Sequence, residues 1–344
     1  MAITAPIRLY GTYGSPYTRK MLSLLRYRRI PYQFMQGSQG GAPEELPKPK
    51  VGLLPTFYLE STDGPLEAAV DSTPLIRRFE ESFSSRSVIP HDPAIAFIDY
   101  LLEDYGDEWL TKAMFHYRWS FQADIEKAGI ILSLEHNPSL PEEDCVFFQS
   151  HFATRQISRL GVVGSNKITA RVIESSYKLF LQAFNQILTQ RTFICGDCPG
   201  SADFAFYGQL TQLAGFDPTP MALTLELAPR VLAWMNFMED LSGHEIPADT
   251  WASRDDIQNT LQPLLAEVGR TYVPVMLANA KALDQGLAQV ETQVDGKPWQ
   301  QNPFPYQKRC VEWIRGEYLA LSELDREWVD GVLAGTGCEK LLQD

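Results

Sequence analysis

The chain has 344 residues, of which 44% are hydrophobic and 21% charged, and its formal net charge is −13. This length allows two domains, or two domains and an extension, and the composition is that of a folded globular protein. The acidic balance argues against a nucleic-acid partner, because binding phosphate groups requires a basic surface.

The N-terminal segment MAITAPIRLYG shows no basic stretch followed by a long apolar one, so we expect no signal peptide. No apolar run approaches the ~18 residues that a membrane-spanning helix needs. The chain has five scattered cysteines: Cys145, Cys195, Cys198, Cys310 and Cys338. A small, odd number of scattered cysteines is typical of a reduced protein, so we expect the cytoplasm as the location. We also expect no membrane partner.

Residues 5–88 alternate between strand and helix patterns. In chain order these are a strand at 7–10, a helix from Pro16, a strand at 32–34, a loop over 36–49, a hairpin over 55–70 that turns at Asp63-Gly64, and a helix from Asp71. The first helix places Tyr17, Met21 and Leu24 on one face, at helical spacing. The order βαβ followed by ββα predicts a compact thioredoxin-like α/β domain over 5–88.

A polar segment with prolines at 84–93 predicts a linker. The pattern then becomes helical, and no strand-rich stretch interrupts it, so residues 94–250 are expected to form an all-α domain. Residues 251–344 combine helical stretches with a hairpin that turns at Asp295-Gly296. They are expected to pack as an extension onto the helical domain.

Ser15-Pro16-Tyr17-Thr18 begins the first predicted helix with the spacing of the Cys-Pro-Tyr-Cys loop of glutaredoxins. Hydroxyls replace both sulfurs, and hydroxyls form no disulfides, so a dithiol oxidoreductase is excluded. The Ser15 hydroxyl at a helix N-terminus can still stabilise another molecule's thiolate, which lowers a thiol pKa from its usual ~8.5. Plain helix capping by Ser15 is the alternative interpretation.

Two further motifs follow. Leu54-Pro55 precedes a predicted strand at the position where thioredoxin-like folds carry a cis proline, which turns the backbone of the preceding residue toward a peptide ligand. Asp71-Ser72 begins a helix and could bind the ammonium and carboxylate of an amino-acid head group, although both residues would also serve as ordinary caps. Lys50 could reach a second carboxylate, or could simply be solvated.

Taken in order, these motifs resemble the glutathione transferase family over roughly residues 5–245. The resemblance implies a serine-type enzyme in which Ser15 orients the sulfur of glutathione, its cosubstrate. It also implies that Leu54 pairs with the cysteinyl backbone before a cis Pro55, and that Asp71 and Ser72 hold the γ-glutamyl end.

The same resemblance implies that a hydrophobic electrophile binds between the domains, against Phe115, His116 and Trp119, as in detoxification enzymes, and it allows a homodimer. Residues 199–207 resemble the family's capping-box helix, in which a Ser or Thr precedes the buried Asp203 by three positions. Here Gly200 holds that position, which is a departure that concerns folding.

Three alternatives stay open. Tyr13 or Tyr10 could replace Ser15, because some transferases use a tyrosine near the first strand. Cys195 and Cys198 form a lone Cys-x-x-Cys, but tetrahedral zinc needs further ligands, so no metal is expected. Finally, the chain could be a non-catalytic glutathione transferase-like binding or interaction protein whose extension is the functional surface. The type of electrophile, and hence the reaction subtype, stays undetermined.

Overall fold

A computed structural model describes the chain except for residues 1–2, 61–63, 136, 246, 248–250 and 344. Asp63 of the predicted Asp63-Gly64 turn therefore lies outside the described residues. The elements of the first domain are β1 (Ile7–Gly11), α1 (Pro16–Tyr27), β2 (Tyr32–Gln36), β3 (Thr56–Leu59), β4 (Glu67–Ala69) and α2 (Ser72–Ser82). The prediction of a thioredoxin-like α/β fold is confirmed.

The sheet topology brings the sequence motifs to one edge. The strand order is β2-β1-β3-β4; β1 is parallel to β2 and antiparallel to β3, and β3 is antiparallel to β4. The strands β1 and β4 therefore run in the same direction, so their carboxyl ends lie at the edge where β3 begins. Ser15 and Asp71 follow those carboxyl ends and Pro55 precedes β3, which places all three at that edge.

The second part of the chain is helical, as predicted. Its helices are α3 (Pro93–Tyr105), α4 (Thr111–Ser120), α5 (Gln122–Leu134), α6 (Glu142–Ile157), α7 (Ala170–Ile187), α8 (Ser201–Leu213), α9 (Pro218–Leu227) and α10 (Pro229–Met238). A π-helical turn, Gly106–Leu110, joins α3 to α4. Every residue of α8 is buried, and this helix packs against α1, so the core is continuous between the two domains. No helical pattern in the sequence predicted α9.

The remaining elements are α11 (Arg254–Thr260), α12 (Gln262–Asp284), β5 (Val290–Val294), β6 (Lys297–Gln301), α13 (Pro305–Ala320) and α14 (Glu323–Leu333). The predicted turn has Asp295 at φ 53° and Gly296 at φ 69°, the positive angles that a two-residue hairpin loop requires. The extension packs on the helices: α12 contacts α7, where Ser176 donates to Glu267 at 2.5 Å. Among the described residues, no helix combines the length and the apolar character needed to cross a membrane.

The start of α8 explains the departure at Gly200. The Asp203 carboxylate accepts from the Gly200 backbone N–H at 2.9 Å. Glycine has no side chain that could accept from the backbone N–H groups of the first turn in exchange. Asp99 of α3 supplies an acceptor at this helix start instead, and accepts from Ser201 N (3.1 Å), Ser201 Oγ (2.6 Å) and Ala202 N (3.1 Å). A Cβ at position 200 would lie 2.3 Å from Asp99 Oδ1, so glycine leaves room for the substitute cap.

Candidate functional site

Ser15 caps the N-terminus of α1. Its backbone is extended (φ −95°, ψ 120°), Pro16 follows in the first turn, and its Oγ accepts from Thr18 N at 3.3 Å. The same hydroxyl donates to the carbonyl of Leu54 at 3.4 Å, and the Leu54–Pro55 peptide bond is cis, as the resemblance implies. The hydroxyl therefore lies between the positive end of a helix and the residue expected to pair with a peptide ligand.

Residues of the helical domain hold the loop that precedes Ser15. Thr12 Oγ1 and Gly14 N both donate to Glu135 Oε2 at 2.9 Å, and Arg118 donates weakly to the Gly14 carbonyl at 3.4 Å. A Cβ on Gly14 would lie 2.5 Å from Leu132 Cδ2, so no larger residue fits there without a shift. The position of the catalytic candidate thus depends on contacts between the two domains.

A cavity of about 480 Å³ opens beside Ser15 between the domains. Its apolar wall comes from the helical domain and consists of Met114, Phe115, Trp119, Leu132 and Phe152. Its polar lining includes Thr12, Ser38, Gln39, Gln156, Arg118, Glu135 and Arg155. The cavity therefore has one polar side at the α1 N-terminus and one aromatic side, as a site for a polar thiol and an apolar cosubstrate requires.

The two arginines of the cavity differ in their partners. Arg118 is buried, with both Asp217 carboxylate oxygens 3.0 Å from its Nε and Gln212 Oε1 2.9 Å from its Nη2. Arg155 is exposed, and within the described part of the chain its guanidinium makes no hydrogen bond or ion pair. Arg155 is consequently the cation of this cavity that can receive an anionic group.

Of the three residues expected to contact the electrophile, Phe115 and Trp119 line the cavity and His116 does not. His116 is buried, with Nδ1 2.8 Å from Ser165 Oγ and Nε2 3.3 Å from Glu174 Oε1, and burial lowers the pKa of its imidazole. Successive helix residues point ~100° apart, so His116 turns away when its neighbour faces the cavity. In contrast to the expectation, the structure therefore does not bring His116 to this cavity.

Other predicted residues also lie outside the cavity. Lys50 is exposed and is not part of the lining, so the structure does not bring it to Ser15. The Tyr10 hydroxyl donates to the Ser38 carbonyl at 2.9 Å. The Tyr13 ring packs against Phe34 at 5.2 Å between centroids and is likewise absent from the lining. Among the three candidates for holding a thiolate, the geometry favours Ser15.

Asp71 and Ser72 begin α2, and neighbouring residues occupy both side chains. Ser72 Oγ accepts from Lys20 Nζ at 3.0 Å and donates to Asp107 Oδ2 at 3.4 Å. The Asp71 carboxylate accepts from the Tyr306 hydroxyl at 2.8 Å, and burial raises the pKa of Asp71. Asp71 has φ 83°, and backbone strain of this kind costs about 1–3 kcal/mol and clusters at functional positions.

A buried charge network lies beneath these residues. Lys20 Nζ is 2.6 Å from Asp107 and 2.8 Å from Glu103, and Arg77 contacts the other Glu103 oxygen at 2.5 Å. Burial by itself would lower the pKa of Lys20, but the two carboxylates outweigh burial and raise it. Burial opposes ionisation of Glu103 too, yet Arg77 and Lys20 hold its pKa at about 2. The network connects α1 and α2 to α3 and fixes Ser72.

Glu108 is a buried acid of this region whose raised pKa links stability to pH. It is buried, Gln307 donates to it at 3.2 Å, and burial, assisted by Asp104, raises its pKa to about 8. The unfolded value is near 4.3. The folded state therefore retains a proton that the unfolded state loses, and stability falls as the pH rises from about 4 through 8.

Glu108→Gln is expected to match the wild type in melting temperature below pH 4.5 and to exceed it at pH 8. The amide keeps the shape and the Gln307 contact, and it does not ionise. Thermal unfolding across this pH range measures the difference, with Glu323→Gln, at an exposed position of the extension, as the control. Parallel pH profiles for wild type and Glu108→Gln would contradict the raised pKa.

No local sequence pattern indicated most of the residues that the helical domain contributes to the cavity. Glu135 follows the last residue of α5, and Phe152 and Arg155 lie on α6, and the patterns of these two helices resemble those of any helix that packs on a core. Cys195 is buried in the core, where burial raises the pKa of its thiol well above the usual value. In the described part of the chain, no group of three or more His, Cys, Asp or Glu residues is arranged to hold a metal ion.

Comparisons with known proteins agree with the architecture of the first domain. Residues 9–87 match the family model described as Glutathione S-transferase, N-terminal domain. A search of the curated proteins found no match.

Solved structures that match this chain include two glutathione S-transferases and one glutathione transferase homologue. The Tau class enzyme from mango, Mangifera indica, is 18% identical with a TM-score of 0.42, over 67% of this chain and 87% of that one. A glutathione S-transferase from Rhodospirillum rubrum F11 is 17% identical with a TM-score of 0.41, over 73% and 98%. A homologue from Lodderomyces elongisporus, with two GSH per subunit, is 12% identical with a TM-score of 0.33, over 69% and 98%. These TM-scores are below 0.5, so no argument rests on these structures, and the family match concerns residues 9–87 alone.

Proposed function

We propose a function from the premise that this chain, through residues 9–87, belongs to the glutathione S-transferase family. The protein binds glutathione, stabilises its thiolate with the Ser15 hydroxyl, and directs the sulfur at an electrophile in the cavity between the domains. The observation that carries this proposal is the Ser15 hydroxyl at the α1 N-terminus, 3.4 Å from the Leu54 carbonyl and beside a cavity with an aromatic wall.

The chemistry needs no general base on the protein. The Ser15 hydroxyl turns from the Leu54 carbonyl to donate to sulfur, and the helix N-terminus favours negative charge there, so the thiol releases its proton to water near neutral pH. The thiolate forms a bond to the electrophilic carbon, and the leaving group departs with the electron pair of the bond that breaks. Holding both partners in one cavity supplies the remaining rate enhancement.

The cavity also indicates the class of electrophile. Phe115, Trp119 and Phe152 present aromatic surface, and Arg155 adds a cation that no described residue neutralises. An aromatic electrophile with a carboxylate or another anionic group fits both features.

Calorimetric titration with glutathione, followed by turnover of a generic aryl halide, tests the proposed function. Heat of binding together with conjugate formation supports a transferase. Binding without turnover over a series of neutral and anionic aryl halides would favour a non-catalytic binding protein. No heat at millimolar glutathione would contradict both glutathione-dependent functions and favour an interaction module.

Arg155→Ala is expected to raise KM about fivefold for a carboxylated aryl halide and to leave KM for its neutral counterpart unchanged. A partly exposed ion pair contributes at most about 1 kcal/mol, which is a factor of about five. Steady-state kinetics with both substrates measure the difference. Arg171→Ala, an exposed arginine on α7 outside the cavity lining, is the matched control. An equal change in KM for both substrates would show that Arg155 acts through cavity shape and not through charge.

A further inference from the structure

The extension reaches the residues that were expected to hold the amino-acid end of glutathione. The Tyr306 hydroxyl, in the first turn of α13, donates to Asp71 Oδ2 at 2.8 Å across 235 residues of sequence. Asp71 is the residue whose carboxylate would take the ligand's ammonium group. Tyr306 therefore occupies a hydrogen-bonding position that the γ-glutamyl group needs.

Tyr306 is held in this position by the rest of the extension. Asn279 of α12 forms two hydrogen bonds to the backbone of Phe304, one to its N–H (2.7 Å) and one to its carbonyl (2.9 Å). The Tyr306 ring packs edge-on against Trp313, which lies about two turns further along α13, with centroids 6.0 Å apart. The adjacent Gln307 donates to Glu108 at 3.2 Å. These contacts hold the start of α13 in place. The surrounding residues therefore fix the position of the Tyr306 hydroxyl at Asp71.

The second expected head-group residue is engaged as well. Ser72 is 8% exposed, and its hydroxyl lies between Lys20 and Asp107 in the buried charge network. The cysteinyl end of the site differs, because Ser15 and Leu54 both line the open cavity. The structure thus has an accessible thiol end and an occupied head-group end.

We propose that Tyr306 is a specificity-determining residue that competes with the γ-glutamyl ammonium of glutathione for Asp71; the inference rests on the proposed function. Glutathione binds by exchange, in which its ammonium replaces the phenol on the carboxylate and the first turn of α13 moves away. The exchange is feasible because a charged N–H donor bonds a carboxylate more strongly than a neutral hydroxyl does. A thiol without the γ-glutamyl group reaches Ser15 without displacing Tyr306. The extension therefore reduces the advantage of glutathione over shorter thiols.

Titration calorimetry with glutathione and with cysteinylglycine, which lacks the γ-glutamyl group, tests the proposal on the full chain. Tyr306→Phe removes the hydroxyl, and glutathione is expected to bind about tenfold more tightly while the affinity for cysteinylglycine changes less than twofold. Tyr306→Ala also removes the ring, and it is expected to tighten glutathione binding at least as much. Tyr318→Phe is the matched control, because it removes a tyrosine–aspartate hydrogen bond of the same extension, to Asp330, away from Asp71.

The possible outcomes separate this inference from the function on which it rests. Unchanged affinities in both Tyr306 variants, with the wild type binding both thiols, would overturn competition by Tyr306 and leave the proposed function intact. Weaker glutathione binding in Tyr306→Phe would also overturn it, because Tyr306 would then be a contact of the ligand. Failure of every protein to bind either thiol would overturn the proposed function and this inference with it. If Tyr306→Ala does not fold, Tyr306→Phe alone decides.

Discussion

Replacing Ser15 with alanine is expected to lower kcat/KM with an aryl halide about 100-fold and to change the dissociation constant of glutathione only a few-fold. Removing one hydrogen-bond donor aimed at developing or resident negative charge in an enzyme site typically costs a factor of 10² to 10³. In the proposed complex glutathione would keep its other contacts in the variant, including the one to the backbone of Leu54, so most of its binding free energy is expected to remain.

The physical reason is the population of thiolate. The thiol has a pKa of ~8.5 in water, and the Ser15 hydroxyl and the α1 N-terminus both favour its ionised form. The helix end remains in Ser15→Ala, so the thiol pKa is expected to return only partly toward its free value. The acid limb of the pH–rate profile should therefore move to higher pH in the variant, and activity should recover in part as the pH rises.

Two measurements check this expectation. The pH dependence of kcat/KM reports the pKa of the thiol, and ultraviolet absorption of the bound thiolate reports its population directly. Ser15→Thr retains a hydroxyl and is expected to keep part of the activity. Tyr13→Phe is the matched control, because its ring packs on Phe34 outside the cavity lining. Full activity in Ser15→Ala together with a loss in Tyr13→Phe would transfer the role to the tyrosine.

The first domain was predictable because its signals are local. Strand and helix periods, the Ser-Pro helix start and the Asp-Ser helix start each depend on residues within a few positions of one another. Once the order of elements is known, the direction of β1, β3 and β4 brings Ser15, Pro55 and Asp71 to one edge of the sheet without further information.

The rest of the site depends on contacts between distant parts of the chain. The contact of Glu135 with Gly14 crosses 121 residues, and that of Tyr306 with Asp71 crosses 235. Nothing in a local pattern indicates that a terminal-turn glutamate or a helix-start tyrosine will reach another domain.

The burial of charged residues depends on distant contacts as well. Lysines are almost never fully buried unless they are paired, so Lys20 is expected at the surface from its type alone. The structure buries it because Glu103 and Asp107 supply two partners from a helix and turn more than 80 residues away. His116 differs from the sequence expectation in another way. It lies between the cavity residues Phe115 and Trp119 in the sequence, but its side chain is buried in the core.

Asp99→Ala is expected to destabilise the protein by about 2–4 kcal/mol, the largest effect on stability among the variants considered. The substitution removes the acceptor of two buried donors at the start of α8, Ser201 Oγ and Ala202 N, whereas Ser201 N keeps the Val88 carbonyl at 2.9 Å. Each unsatisfied buried donor costs about 1–3 kcal/mol, and the two lie close enough to share part of that cost. Because α8 packs against α1, the loss affects both domains.

The same geometry predicts that Gly200→Ser is destabilising alone and beneficial in the Asp99→Ala background. In the wild type the new Cβ would lie 2.3 Å from Asp99 Oδ1, a degree of overpacking that typically costs about 1–3 kcal/mol. The backbone at Gly200 (φ −88°, ψ 174°) suits any residue, so the only obstacle is the Asp99 carboxylate. With that carboxylate absent, the introduced hydroxyl can cap Asp203 N, which is worth about 1 kcal/mol.

A double-mutant cycle of Asp99→Ala and Gly200→Ser, measured by urea or thermal unfolding, gives the coupling between the two positions. We expect the double variant to be more stable than the sum of the single effects predicts, by about 1 kcal/mol or more. Asp92→Ala combined with Gly200→Ser is the matched control, because Asp92 also caps a helix, through Ala94 N and Ile95 N at the start of α3. Asp92 bonds to Ala94, Ile95 and Arg254 and not to Gly200, so the two changes should add. Simple additivity in the Asp99 cycle as well would show that the glycine and the cross-helix cap are independent. Coupling confined to the Asp99 cycle would instead establish that this chain exchanged a local helix cap for a tertiary one, and that Gly200 is the residue that makes room for it.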